Sequence, residues 1–113
     1  MSERVGTEEL SVSFVVVATI TPLPEHRDEV IAAFTATIPQ VHAEDGCQLY
    51  ALHQTSDRLI MIEKWASREA LGTHSKGAAL AALNPQLAGK VSGAPEVIVL
   101  DAVPAGEAAK GQL

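Results

Sequence analysis

Hydrophobic residues recur along this chain with two spacings, one of strands and one of helices. Residues 12–21 are rich in β-branched side chains and predict a strand. Val12, Phe14, Val16, Ala18 and Ile20 fall on one face and Ser13, Val15, Val17, Thr19 and Thr21 on the other. Pro22-Leu23-Pro24 ends the strand, and Pro24 suits the first turn of a helix. Glu25, Asp28 and Glu29 follow, where the helix dipole favours acids. Val30, Ile31, Phe34, Ile38 and Val41 then recur at helical spacing, and Pro39 is expected to kink or shorten the last turn. Ala43-Glu44-Asp45-Gly46 reads as a turn.

Residues 47–54 and 58–65 predict the next two strands. Only a short gap around Ser56-Asp57 separates them, so they form an antiparallel hairpin. Ser67 is a good N-cap for a helix of about two turns, weakened by Gly72 and ending at His74. Residues 78–83 give another helical piece, with Leu80 and Leu83 inward. Asn84-Pro85 is expected to break or restart it, with Leu87 and Val91 beyond. Gly93-Ala94-Pro95 leads to a last strand over 96–103. The order is β-α-β-β-α-β, the ferredoxin-like plan of the α+β class. Residues 1–10 are polar and expected to be flexible, residues 11–103 form the domain, and residues 104–113 are expected to be disordered.

The strand faces carry a second message. Ile60 and Ile62 lie on one face of the third strand, and Leu59, Met61 and Trp65 on the other. In the last strand Val97 and Val99 oppose Ile98 and Leu100. A sheet with helices on one side and water on the other alternates apolar with polar. Here both faces are apolar, and two helical segments cover only one. A second copy packed sheet to sheet would cover the other, so a homodimer is expected.

Composition narrows the partners. The 113 residues suit one domain, and a hydrophobic share of 47% supports a packed core. A formal net charge of −6 argues against nucleic acid or an anionic membrane, both of which call for a basic surface. The single cysteine, Cys47, excludes an intrachain disulfide and is expected to act as a small buried or half-buried hydrophobe. A cytoplasmic setting fits, and the N-terminus shows no signal-peptide pattern. The apolar run Phe14–Ile20 is too short to span a bilayer. The histidines stand at 26, 42, 53 and 74, without metal-ligand spacing. No phosphate loop, nucleotide fingerprint or Gly-x-Ser-x-Gly element occurs.

Chemistry-bearing residues gather where the third strand passes into a helix. Glu63, Trp65 and His74 lie there, and Glu63 shares the strand face of Trp65. A histidine changes charge near neutral pH and suits acid/base work. Tryptophan and tyrosine, here Trp65 and Tyr50, suit an aromatic pocket wall. Each has a structural alternative. Trp65 can be core filler, His74 can cap a helix dipole, Glu63 can pair with a neighbouring Lys or Arg, and Tyr50 can pack with its hydroxyl at the surface. His26 reads as exposed, and His42 and His53 can each line a cavity beside the second strand.

Over about residues 12–102 the chain resembles the antibiotic-biosynthesis monooxygenase family, small dimeric α+β barrels. The resemblance rests on Phe14-Val15-Val16-Val17-Ala18-Thr19-Ile20 with Pro22, on Ala43-Glu44-Asp45-Gly46-Cys47, and on Tyr50. It continues in Leu59-Ile60-Met61-Ile62-Glu63-Lys64-Trp65 with Ala70-Leu71 and His74. It implies a cofactor-independent oxygenase acting with dioxygen on a quinol-like or polycyclic phenol. His74 and Glu63 would be catalytic, and Trp65 and Tyr50 would bind the aromatic substrate. Other members have no assigned activity, which leaves open a non-catalytic dimer binding a small hydrophobic ligand. Haem-degrading relatives make haem binding through His74 a third reading. Two departures stand out. The family's second His followed by Phe is replaced by Ala78-Ala79-Leu80, and the first strand lacks the Asn of the haem-degrading relatives.

Overall fold

The computed structural model describes residues 13–113. Residues 1–12, which include the expected flexible N-terminus and the start of the expected first strand, lie outside the described residues. Four strands and three α-helices follow in the order β1 (Phe14–Ile20), α1 (Arg27–His42), β2 (Cys47–Gln54), β3 (Leu59–Trp65), α2 (Arg68–Ser75), α3 (Ala78–Leu87) and β4 (Glu96–Leu100). The sheet order is β2-β3-β1-β4, with every neighbouring pair antiparallel. This is the expected ferredoxin-like plan, with its second helix in two pieces.

Local chemistry explains most boundaries. A 3-10 turn over Pro24–His26 starts the first helical segment, as Pro24 suggested. Pro39 does not shorten α1, which continues to His42. The cost of one missing N–H is offset where flanking residues pack, and Val41 is fully buried. Asn84-Pro85 likewise fails to break α3, because Leu83 and Leu87 lie one turn apart and are both buried. The Ala70 N–H donates to Ser67 Oγ at 3.0 Å, so the expected N-cap of α2 is in place. β4 stops at Leu100, short of the expected 103. Residues 101–113 form no helix or strand.

Register sets what faces what. Val16 pairs with Glu63, and Glu63 pairs with Tyr50, so these three form one row across β1, β3 and β2. The same face of β3 presents Leu59, Met61 and Trp65, all buried. They pack with Val30, Phe34 and Val41 of α1 and with Ala79, Leu83 and Leu87 of α3 into one core. Trp65 is 0% exposed and is among its largest fully buried side chains.

The opposite face carries Val17, Ile60 and Ile62, all half-buried. β4 is an edge strand exposed on both faces, with Ile98 56% and Val99 47% exposed. The other edge strand, β2, has a register shift between Cys47 and Leu49. Arg27 ties the start of α1 to the β2–β3 hairpin, donating to Thr55 O at 2.7 Å and to the Gln54 side chain at 2.9 Å.

Candidate functional site

Tyr50, Glu63, Trp65 and His74 meet on the helix-covered face of the sheet. Strand alternation places Glu63 and Trp65 on one side of β3, and the register sets Tyr50 beside Glu63. α2 delivers His74 from above. Its ring stacks on the Trp65 indole, with centroids 4.5 Å apart and planes 30° apart. Tyr50 meets both rings edge-on, 5.4 Å from His74 and 6.4 Å from Trp65. All four expected site residues are therefore in one cluster, and all four are buried.

Each polar atom in the cluster has a physical assignment. The Trp65 Nε1–H donates to Glu63 Oε1 at 2.9 Å. No Lys or Arg pairs with Glu63 among the described residues. Burial holds the Glu63 carboxyl above its ordinary range, against the lowering effects of the Trp65 hydrogen bond and the His74 charge. Burial, followed by the charges of Glu63 and Glu44, likewise pushes the Tyr50 phenol up. Tyr50 as a whole is buried.

The carboxylate that engages His74 is Glu44. His74 Nδ1 lies 2.7 Å from Glu44 Oε1, within hydrogen-bond distance. Glu44 lies in the turn between α1 and β2, and the sequence pattern marks it only as part of that turn. Its one signal is an acid beside Gly46-Cys47. Gly46 adopts φ +81, and a Cβ there would lie 2.5 Å from Ala70 Cβ, so only glycine lets this turn sit against α2.

Two cavities flank β2, and Tyr50 is the cluster member that lines them. One, of about 370 Å³, runs between α1 and β2, with Ile31, Thr35, Ile38, Leu52, His53, Gln54 and Leu59 in its wall. The other, of about 330 Å³, lies at the register shift and includes His42 and Cys47. His42 Nε2 donates to Tyr50 O at 3.0 Å. Burial raises the Cys47 thiol, which disfavours a reactive thiolate. His26 lies apart, paired with Glu29. Among the described residues no group of three or more His, Cys, Asp or Glu is placed to hold a metal ion. No helix among them is long and apolar enough to cross a membrane.

The profile of the antibiotic biosynthesis monooxygenase family matches residues 13–86, which span β1 through most of α3 and include the whole cluster. The chain belongs to that family. Rv0793 of Mycobacterium tuberculosis, named as a monooxygenase, is 38% identical over 61 residues, 52% of this chain and 60% of that protein. The matched stretch thus spans about 60% of that curated relative's length. The solved structure of Rv0793 superposes with a TM-score of 0.74 at 30% identity, covering 85% of this chain and 98% of that one. A Caulobacter crescentus protein assigned by name to the same family gives 0.76 at 28% identity, over 83% and 92% of the two chains. PA3566 of Pseudomonas aeruginosa gives 0.76 at 25% identity, over 83% and 97%. The fold and the family are thereby established.

Proposed function

We propose that the protein is a cofactor-independent monooxygenase that oxidises a quinol-like or polycyclic phenolic substrate with dioxygen. The supporting observation is the buried cluster of Tyr50, Glu63, Trp65 and His74 beside a cavity of about 370 Å³. That volume suits a small fused aromatic, within the several-hundred Å³ range usual for ligand sites. The wall is mostly aliphatic, and Tyr50 is where it meets the cluster. Movement of the Tyr50 side chain would join cavity to His74.

The chemistry asks little of the protein beyond proton handling and exclusion of water. His74 takes the phenolic proton as the O–H bond breaks. The electron-rich phenolate passes one electron to dioxygen, and the radical pair closes a C–O bond on the ring. A proton returned to the distal oxygen gives a hydroperoxide. The oxygenated ring carbon then gives up its C–H proton as C=O forms and the O–O bond breaks, and the departing hydroxide takes that proton to leave as water. For a hydroquinone, the products are a hydroxyquinone and one water, with all four electrons supplied by the substrate. Trp65 and Tyr50 hold the ring, and Glu63, protonated more readily than an ordinary carboxyl, can hydrogen-bond a substrate hydroxyl. The active form is a homodimer through the sheet face that carries Val17, Ile60 and Ile62, together with exposed β4.

One observation favours a second reading. Glu63, Trp65 and His74 are sealed from both cavities, as in a module that binds a hydrophobic ligand against Tyr50 without catalysis. Oxygen uptake against benzo-, naphtho- and anthra-hydroquinones separates the two. Monooxygenase activity predicts enzyme-dependent uptake that falls in His74→Ala. Saturable aromatic binding with no uptake above autoxidation would replace the oxygenase by the binding module.

A further inference from the structure

The role of His74 rests on the proposed monooxygenase reading, and a contact outside the expected site residues refines it. We infer that Glu44 is a positioning residue that holds His74 in the tautomer protonated at Nδ1, leaving Nε2 to take the substrate proton. An ionised carboxylate accepts hydrogen bonds and cannot donate. With Glu44 Oε1 2.7 Å from Nδ1, the ring hydrogen belongs on Nδ1. The neutral imidazole then has a bare Nε2, which makes no hydrogen bond to any described residue.

The contact is built into the fold. Glu44 lies in a turn fixed at both ends. Its N–H donates to Val41 O at 2.9 Å, and the Cys47 N–H donates to Glu44 O at 3.2 Å. The Ala66 N–H donates to Gly46 O at 2.8 Å, joining that turn to the end of β3. Gly46 abuts Ala70 of α2. The acid and the histidine therefore ride on pieces whose spacing is set by backbone packing. The ring is held at Nδ1 by Glu44 and on its face by Trp65, with Tyr50 against it edge-on. Glu63 is also near, but its hydrogen bond goes to the indole.

This arrangement assigns the proton path. The substrate O–H bond breaks, and Nε2 gains the proton to give an imidazolium stabilised by the Glu44 carboxylate. The same proton leaves Nε2 for the distal oxygen of the peroxide. The oxygenated ring carbon then gives up its C–H proton as the O–O bond breaks, and the departing hydroxide takes that proton to leave as water. The Nδ1–H bond to Glu44 persists throughout.

Long-range proton–nitrogen NMR of the histidine rings, with His74 assigned from a His74→Gln sample, reads the tautomer directly. Wild type is expected to show Nδ1–H, and Glu44→Ala to shift towards Nε2–H. Glu44→Gln retains a carbonyl acceptor and should keep Nδ1–H while losing the charge. With a hydroquinone substrate, kcat should fall about 100-fold in Glu44→Ala, in the usual range for acid/base steps, with KM nearly unchanged. Glu44→Gln should fall less. Wild-type tautomer and kcat in both variants would overturn the inference and make Glu44 a mere tether of α2. If wild type consumes no oxygen, the monooxygenase reading falls. The tautomer then decides the case for Glu44, and a switch to Nε2–H in Glu44→Ala upholds it.

Discussion

The Trp65 indole N–H donates to the Glu63 carboxylate at 2.9 Å, from the same face of the same strand. This bond is the only hydrogen bond that Glu63's side chain makes among the described residues, and both partners are buried. Burial outweighs it, so the carboxyl titrates above its ordinary 4.5 in the folded protein. The fold therefore binds this proton more tightly than the unfolded chain does. Its contribution to stability is complete below pH 4.5 and is lost as pH rises through the folded value. Across that window one proton's difference is worth about 1.4 kcal/mol per pH unit. Glu63→Gln keeps an acceptor for the indole and removes the charge. Urea midpoints between about pH 4 and pH 8 should decline less in the variant than in wild type. Parallel profiles would show that Glu63 contributes nothing to the pH dependence.

Trp65→Phe preserves most of the ring against His74 but removes the N–H. Glu63 is then left buried without its donor, at a cost of about 1–3 kcal/mol beyond the small loss of packing. Chemical denaturation of Trp65→Phe, and of Trp65→Phe in the Glu63→Leu background, tests this. The cost should shrink when the carboxyl is absent, and an equal cost in both backgrounds would assign it to packing alone.

Two glycines should respond in opposite directions. Gly46→Ala places a methyl against Ala70 at a backbone conformation that L residues avoid, and should destabilise by about 1–3 kcal/mol. Gly72 lies inside α2, and a methyl carbon added there would have nothing within 4 Å. Gly72→Ala should therefore stabilise by up to about 1 kcal/mol through helix propensity. Thermal melts of both variants decide the matter, and a stable Gly46→Ala would contradict the close approach of the turn to α2.

Ile98 pairs with Val17 on the sheet face opposite the helices and is more than half exposed. If a second copy covers this face, Ile98→Lys puts an unpaired charge at the contact. Light scattering should then give a dimer for wild type and a monomer for the variant at micromolar concentration. A monomeric wild type would remove the homodimer from the proposal.

The strands and helices are legible because side-chain periodicity records which face is buried. The β3 pattern gives Leu59, Met61, Glu63 and Trp65 one face, and the register confirms it. Tyr50, Glu63, Trp65 and His74 are each visible as candidates. Glu44 is not visible as the partner of His74, because 30 residues separate them and only the docking of α2 on a turn brings them together. Proline is a weaker breaker here than its chemistry alone suggests. Pro39 and Pro85 lie near helix ends where Val41 and Leu87 still pack, and tertiary burial outweighs the lost hydrogen bond. The sequence pattern makes β4 too long because Ala102 and Val103 are apolar beyond Asp101, whereas the pairing with β1 ends at Leu100 opposite Val15.

Tyr50 lines the cavities while His74 behind it is sealed. A substrate of the proposed kind reaching the histidine from these cavities would first have to displace a phenol ring and fill the space it leaves. Water and small solutes bear that cost without replacing the lost contacts. A flat aromatic of similar or greater breadth recovers them. Under the proposed function, the closed cluster would thus act as a size filter ahead of the chemistry.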